Sequence, residues 1–218
     1  MKTDLAIIIP ALNEAATIGQ VIASIGGVGR IIVVDDGSTD GTGEIAGDAG
    51  ADVVRLEVNR GYDGALQAGF ERADELDCAF VITLDADGQH PQEMISIYVE
   101  QLEGGMDLVL GVRDRLQRFS EHVFAFLTDK TLGISDPLCG MKGYRLSLYR
   151  ALGHFDSYGS VGTELALHSV RNGAKYVQIP IKTNERVDQP RFSRIARANW
   201  IILRAALIGI YRFGFRKR

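Results

Sequence analysis

Three observations predict an α/β fold on a mostly parallel sheet. Short apolar runs alternate with longer stretches of helical spacing, each run closes on Gly, Asp or Pro, and acidic residues recur just past the runs. Leu5 to Ile9 reads as the first strand. A helix follows from about Ala15 to Ile25, with Asn13 as its N-cap and Glu14 near the positive end of its dipole. Arg30 to Val34 is the second strand; it ends at Asp35-Asp36-Gly37-Ser38, and a helix from about Gly41 to Gly50 comes next. The rhythm continues with a strand Asp52 to Glu57, a helix Tyr62 to Asp74, a strand Ala79 to Leu84, a helix Pro91 to Glu103 and a strand Asp107 to Gly111. Beyond it the pattern weakens. The spacing still predicts a helix around Phe119 to Leu132, an edge element near Gly140 to Tyr144, a helix Thr163 to Asn172 and a strand Tyr176 to Ile181.

At 218 residues, 46% hydrophobic and 24% charged, with mean hydropathy +0.03, the chain can close one sizeable core. One domain is expected. Residues 1–197 are expected to form its body and 198–218 a basic amphipathic tail of the same domain. The 25 glycines follow no three-residue period, and the apolar content excludes a disordered polymer. The net charge of -4 hides an asymmetry, because residues 182–218 hold ten basic and two acidic residues. Nucleic acid is disfavoured as a partner, since the basic residues lie in one tail. Cys78 and Cys139 form no CxxC, which points to a reducing, cytoplasmic setting. The first apolar run is too short for a signal-peptide core. The stretch Trp200 to Tyr211 is interrupted by Arg204 and falls short of the roughly 20 apolar residues of a membrane span. From Ile195 to Phe215, apolar residues interspersed with Arg197, Arg204 and Arg212 read as a helix lying in the membrane interface with arginines on phosphate headgroups and Trp200 at the boundary, or as one that packs on the sheet or makes a homodimer.

In open parallel sheets ligands bind at the carboxyl ends of the strands. Here the strand ends carry Pro10 and Glu14, Asp35 and Asp36, Asp85 and Asp87, and Gly111-Val112-Arg113. Asp and Gly also make good turns, and any one pair is compatible with that bland role. Four in succession on one sheet edge point to a ligand, because clustered carboxylates are costly without a cation or donors. Asp85-Ala86-Asp87 can approach one hard divalent cation that bridges two phosphates of a nucleotide, with Gln89 and His90 as further donors. His90, just before Pro91, reads more readily as a loop residue.

PALNEAATI (10–18), VVDDGSTDGT (33–42), NRGYDGALQAGF (59–70), LDADGQHPQE (84–93), GVR (111–113) and DPLCGMKGYR (136–145) together resemble glycosyltransferase family 2 enzymes of GT-A fold. Within that family they look most like dolichyl- and polyprenyl-phosphate sugar transferases. The resemblance implies inverting transfer of a hexose from a nucleoside-diphosphate sugar. It implies nucleotide contacts at Pro10, Leu12 and Glu14, Leu12 standing where an aromatic is usual, and reading of base and ribose at Val34 and Asp36. It assigns Asp85, Ala86, Asp87 and Gln89 to the D-x-D-x-Q that holds Mg²⁺ or Mn²⁺ on the diphosphate, and Arg113 to the phosphates.

By family position, Asp136 is the base or acceptor-orienting group and Glu164 a contact to sugar or acceptor, although each could equally cap a helix. An alcohol acceptor needs a carboxylate to take its proton; an ionised lipid phosphate does not. Arg186 and the pair Ser193-Arg194 align with a phosphate-closing loop if two residues are inserted. The expected function is therefore metal-dependent hexosyl transfer from a donor of GDP-mannose or UDP-glucose type to a polyprenyl phosphate, peripheral at the cytosolic membrane face. A soluble family 2 enzyme acting on a glycan or small alcohol, and a non-catalytic nucleotide-sugar-binding relative, are the alternatives.

Overall fold

A computed structural model describes residues 4–86, 94–182 and 195–214. These form a seven-stranded sheet of order β3-β2-β1-β4-β6-β5-β7. Its strands are β1 (Leu5–Ala11), β2 (Arg30–Asp35), β3 (Asp52–Arg55), β4 (Phe80–Thr83), β5 (Leu108–Arg113), β6 (Lys142–Arg145) and β7 (Tyr176–Ile181). The helices are α1 (Ile18–Ile25), α2 (Thr42–Asp48), α3 (Gly61–Glu75), α4 (Met94–Glu103), α5 (Phe119–Leu132), α6 (Leu146–Leu152), α7 (Glu164–Arg171) and α8 (Ile195–Gly209), the last running into a π-helical turn at Ile210–Gly214.

The alternation of side chains along β1 explains why a continuous apolar run makes a central strand. Ala6 and Ile8 enter the core shared with α3, α5, α7 and α8, whereas Leu5, Ile7 and Ile9 enter the core shared with α1 and α4. Both faces are thereby covered, and β1 pairs in parallel with β2 on one side and β4 on the other.

Two expectations need correction. The element near Gly140 to Tyr144 is no edge strand: β6 runs antiparallel between β4 and β5, in the interior of the sheet. Its glycine and lysine disguised the strand pattern. Gly143 gives α4 room to approach, since a Cβ there would lie 3.1 Å from the Tyr98 ring, and Lys142 and Tyr144 are buried. Second, Asn13 does not cap a helix at Ala15. It sits at φ 56°, α1 begins only at Ile18, and the Asn13 amide oxygen accepts the Thr39 N–H at 2.9 Å. The first and second sequence motifs are thus tied to each other, with Thr42 accepting the Glu14 N–H and Asp40 accepting that of Ala15. The helix expected from Ile195 is α8, which packs on α5 and buries Ile202, Ala205 and Ala206 in the core.

Candidate active site

A cavity of about 410 Å³ opens at the carboxyl ends of β1, β2, β4 and β5. Pro10, Leu12, Glu14, Asp36, Asp85, Ala86 and Arg113, all singled out from the sequence, line it. Val34 does not: it is fully buried in the core beneath α3. Asp87, Gln89, Arg186 and Arg194 lie outside the described residues.

Asp36 is held by the start of α3. Its carboxylate accepts the backbone N–H groups of Arg60 at 2.6 Å and Gly61 at 2.9 Å, so the negative charge meets the positive end of the helix. Asn59 and Gly61 of the same turn line the cavity.

Asp85 is seated by two neighbours that sequence reasoning missed. The Tyr62 hydroxyl donates to it at 3.3 Å, and Gly140 lies so close that a Cβ there would collide with the carboxylate. Burial, and then the Asp85 charge, push the Tyr62 phenol well above its ordinary pKa, so it stays a donor. Tyr62 and Gly140 both fall inside motifs quoted above, but neither residue type announces that role. Among the described residues no three acidic, His or Cys side chains cluster as a complete metal site. Asp85 and Ala86 bring the beginning of the D-x-D to the cavity wall.

Arg113 faces the cavity and is clamped from behind. Its Nε donates to Asp136 Oδ2 at 2.8 Å, its Nη2 to Asp136 Oδ1 at 2.9 Å, and Glu121 lies 3.3 Å from Nη2. Burial works against this guanidinium, but the hydrogen bonds and charge of Asp136, with Glu121, outweigh it and raise its pKa, keeping the cation fixed. Asp136 is only 2% exposed and is not a lining residue. Arg118, bonded to Glu121 at 2.9 Å, adds a second guanidinium to the same wall.

Glu164 is also off the cavity wall. It accepts the Ser157 N–H and hydroxyl and receives Arg212 at 3.3 Å, tying the 154–163 loop to the C-terminal turn. Burial lowers the pKa of Lys142, whose Nζ donates to the carbonyls of Cys139 at 2.6 Å and Gly162 at 3.1 Å. A lysine within an apolar run was the available signal for it.

The Glycosyl transferase family 2 model matches residues 6–127, which carry β1 to β5 and most of the cavity wall. The chain belongs to glycosyltransferase family 2. This family 2 chain is 31% identical over 206 residues to a dolichyl-phosphate hexose transferase of Haloferax volcanii, covering 88% of each protein. It is 28% identical to a polyprenol monophosphomannose synthase of Mycolicibacterium smegmatis, covering 97% of this chain and 87% of that one. The solved structure of glucosyl-3-phosphoglycerate synthase from Mycobacterium tuberculosis, in complex with Mn²⁺ and UDP-glucose, superposes with a TM-score of 0.76 at 23% identity, over 99% of this chain and 81% of that one. The fold is GT-A, and the protein is a glycosyltransferase.

Proposed function

We propose that this glycosyltransferase moves a hexose, with inversion, from a nucleoside-diphosphate sugar of GDP-mannose or UDP-glucose type to a polyprenyl-type phosphate. The observation that carries the reading is the state of the acidic residues on the cavity wall. Asp36 is engaged by two backbone donors, Glu14 accepts the Thr17 hydroxyl, and Asp85 is seated by Tyr62 for the metal position. Asp136, the expected base, has both oxygens on Arg113. On this reading the described lining carboxylates, Glu14, Asp36 and Asp85, serve the nucleoside and metal positions, and an acceptor phosphate, ionised at pH 7, needs no base. The geometry favours an orienting role for Asp136, acting on Arg113.

Nucleoside recognition is assigned to the Pro10, Leu12, Glu14 and Asp36 end of the cavity, and diphosphate to the Asp85 corner. Asp85 fits a cation site, since its carboxylate is fixed at the wall by Tyr62 and the bare Gly140; Asp87 and Gln89 would complete it. Bound Mg²⁺ or Mn²⁺ would offset charge on the diphosphate leaving group. Arg113 and Arg118 supply positive charge on the cavity wall, suited to phosphate oxygens. Arg186 and Arg194 are assigned to the same phosphates.

No helix among the described residues is long and apolar enough to cross a membrane. A peripheral contact at the cytosolic membrane face is supported instead by exposed aromatic and aliphatic side chains on two packed helices: Phe119 and Phe126 of α5, and Trp200, Leu207 and Tyr211 of α8 and its π-turn. Arg204 and Arg212, expected on lipid headgroups, are bonded to the Tyr158 carbonyl and to Ser157 and Glu164.

The test is a panel of GDP- and UDP-hexoses incubated with a polyprenyl phosphate or a polyprenol, with and without chelator. Transfer to the phosphate alone, abolished by chelation and by Asp87→Ala, is expected. Transfer to the alcohol, or activity that survives both treatments, would overturn it.

A further inference from the structure

Val161 has φ 57°, and among the described residues it is the one β-branched side chain in the left-handed region; Asn13 and Asp77, the other non-glycine residues there, are types that tolerate it. Glycine at 161 would adopt this backbone without strain, yet a valine stands there, and it lines the cavity. Strain of this kind persists only where the surroundings over-determine it. They do so here. Asp63, in the first turn of α3, accepts the Val161 N–H at 3.0 Å and the Gly162 N–H at 2.5 Å. From the other side Lys142 Nζ donates to the Gly162 carbonyl at 3.1 Å. Upstream, Asp156 accepts the N–H groups of Gly159 and Ser160, and Ser160 Oγ accepts those of Thr163 and Glu164. The segment is fastened at every step, and its product is one isopropyl group on the cavity wall.

That group sits next to the Asp85 corner. A Cβ on Gly162 would lie 2.9 Å from the Tyr62 ring, whose hydroxyl donates to Asp85, and Leu138 and Gly140 line the cavity with Val161. With the nucleoside at the Pro10 and Asp36 end and the diphosphate at Asp85, the next group of the donor is its sugar.

We propose that Asp63 is a positioning residue that holds Val161, through a strained backbone, as the wall against which the donor sugar rests. This rests on the nucleotide-sugar reading above. Asp63 itself does not line the cavity; it acts through Val161. The sugar's share of donor affinity then depends on a carboxylate that never touches the sugar.

The experiment measures Kd for UDP, UDP-glucose, GDP and GDP-mannose with Mg²⁺ or Mn²⁺, in the wild type, Asp63→Asn, Val161→Gly and the double variant. For the nucleotide that binds, the ratio of nucleoside-diphosphate Kd to donor Kd isolates the sugar. Each single variant is expected to lower this ratio at least fivefold while nucleoside-diphosphate Kd stays within about twofold, and the double variant to fall no further than the worse single, because both act through one contact. Val161→Gly relieves strain and keeps the test decisive should Asp63→Asn fold poorly. A ratio that moves less than twofold in Val161→Gly, or effects that multiply in the double variant, would overturn the proposal and leave the nucleotide-sugar reading standing. Absence of nucleoside-diphosphate binding in the wild type would sink both.

Discussion

Arg113 and Asp136 form a two-pronged ion pair, with Nε on Oδ2 at 2.8 Å and Nη2 on Oδ1 at 2.9 Å, and the Arg113 N–H adds a third bond to Oδ2 at 3.1 Å. Of the two, only the arginine reaches the cavity. A carboxylate so engaged holds the guanidinium in place at the cavity wall, where it can meet a phosphate.

Asp136→Ala leaves Arg113 with Glu121 as its remaining ion-pair partner. Breaking a buried pair from one side costs about 3–5 kcal/mol, which urea denaturation will read as a lowered midpoint. Asp136→Asn keeps the shape and one acceptor oxygen, so it should retain the fold but lower kcat/KM by at least tenfold. Combined with Arg113→Met it should add little to the worse single loss. A base acting independently of Arg113 would instead give multiplying losses and erase a limb of the pH–rate profile.

Gly140→Ala tests the seat of Asp85. The new methyl would overlap the Asp85 carboxylate, so that side chain must swing away from its present place on the cavity wall. The expected result is Mg²⁺ or Mn²⁺ affinity reduced at least tenfold, measured by titration calorimetry in the presence of nucleoside diphosphate. Unchanged metal affinity would show that Asp85 is not a ligand.

The parts of this molecule that follow local rules were legible in the sequence. Phe119–Leu132 and Tyr176–Ile181 have the expected bounds, because a helix closed by Gly133 and a short apolar strand are marked by their own residues. Asp36, Asp85 and Arg113 were found because strand ends meet at one sheet edge. What stayed hidden depends on partners far along the chain. Arg113 and Asp136 lie 23 residues apart, Asp63 and Gly162 99 apart, and nothing local announces either pair. Val161 carries no signal at all, since its left-handed backbone is imposed by Asp63 and Lys142 from other elements.

Trp200, Leu207 and Tyr211 are 64%, 68% and 82% exposed, whereas Ile202, Ala205 and Ala206 on the same helix are buried. Deleting the helix would open the core, so point substitutions are the cleaner probe. Changing the three exposed residues to Ala should lower partition onto anionic liposomes at least tenfold in a sedimentation assay, with the melting temperature nearly unchanged. A concentration-dependent dimer that these substitutions dissociate, with liposome binding unaffected, would assign the face to a second copy.

The pH dependence of stability carries a signature of Asp63. Burial, and then the neighbouring Asp156 charge, raise its pKa from 3.8 to about 6, against the opposing pull of the Gly162 and Val161 N–H groups and of Lys142. A carboxyl whose folded pKa is raised binds its proton more tightly in the native state, so its contribution is complete below 3.8 and is lost as pH rises through about 6. Relative to Asp63→Asn, whose amide does not titrate, the wild type should therefore lose on the order of 1–3 kcal/mol of unfolding free energy between acid and neutral pH. Urea titrations of both proteins across that range measure the difference directly. A gap that stays constant with pH would mean that Asp63 is not a buried, charged latch at neutral pH, and that the Val161 backbone is held by Lys142 and the Asp156 turn alone.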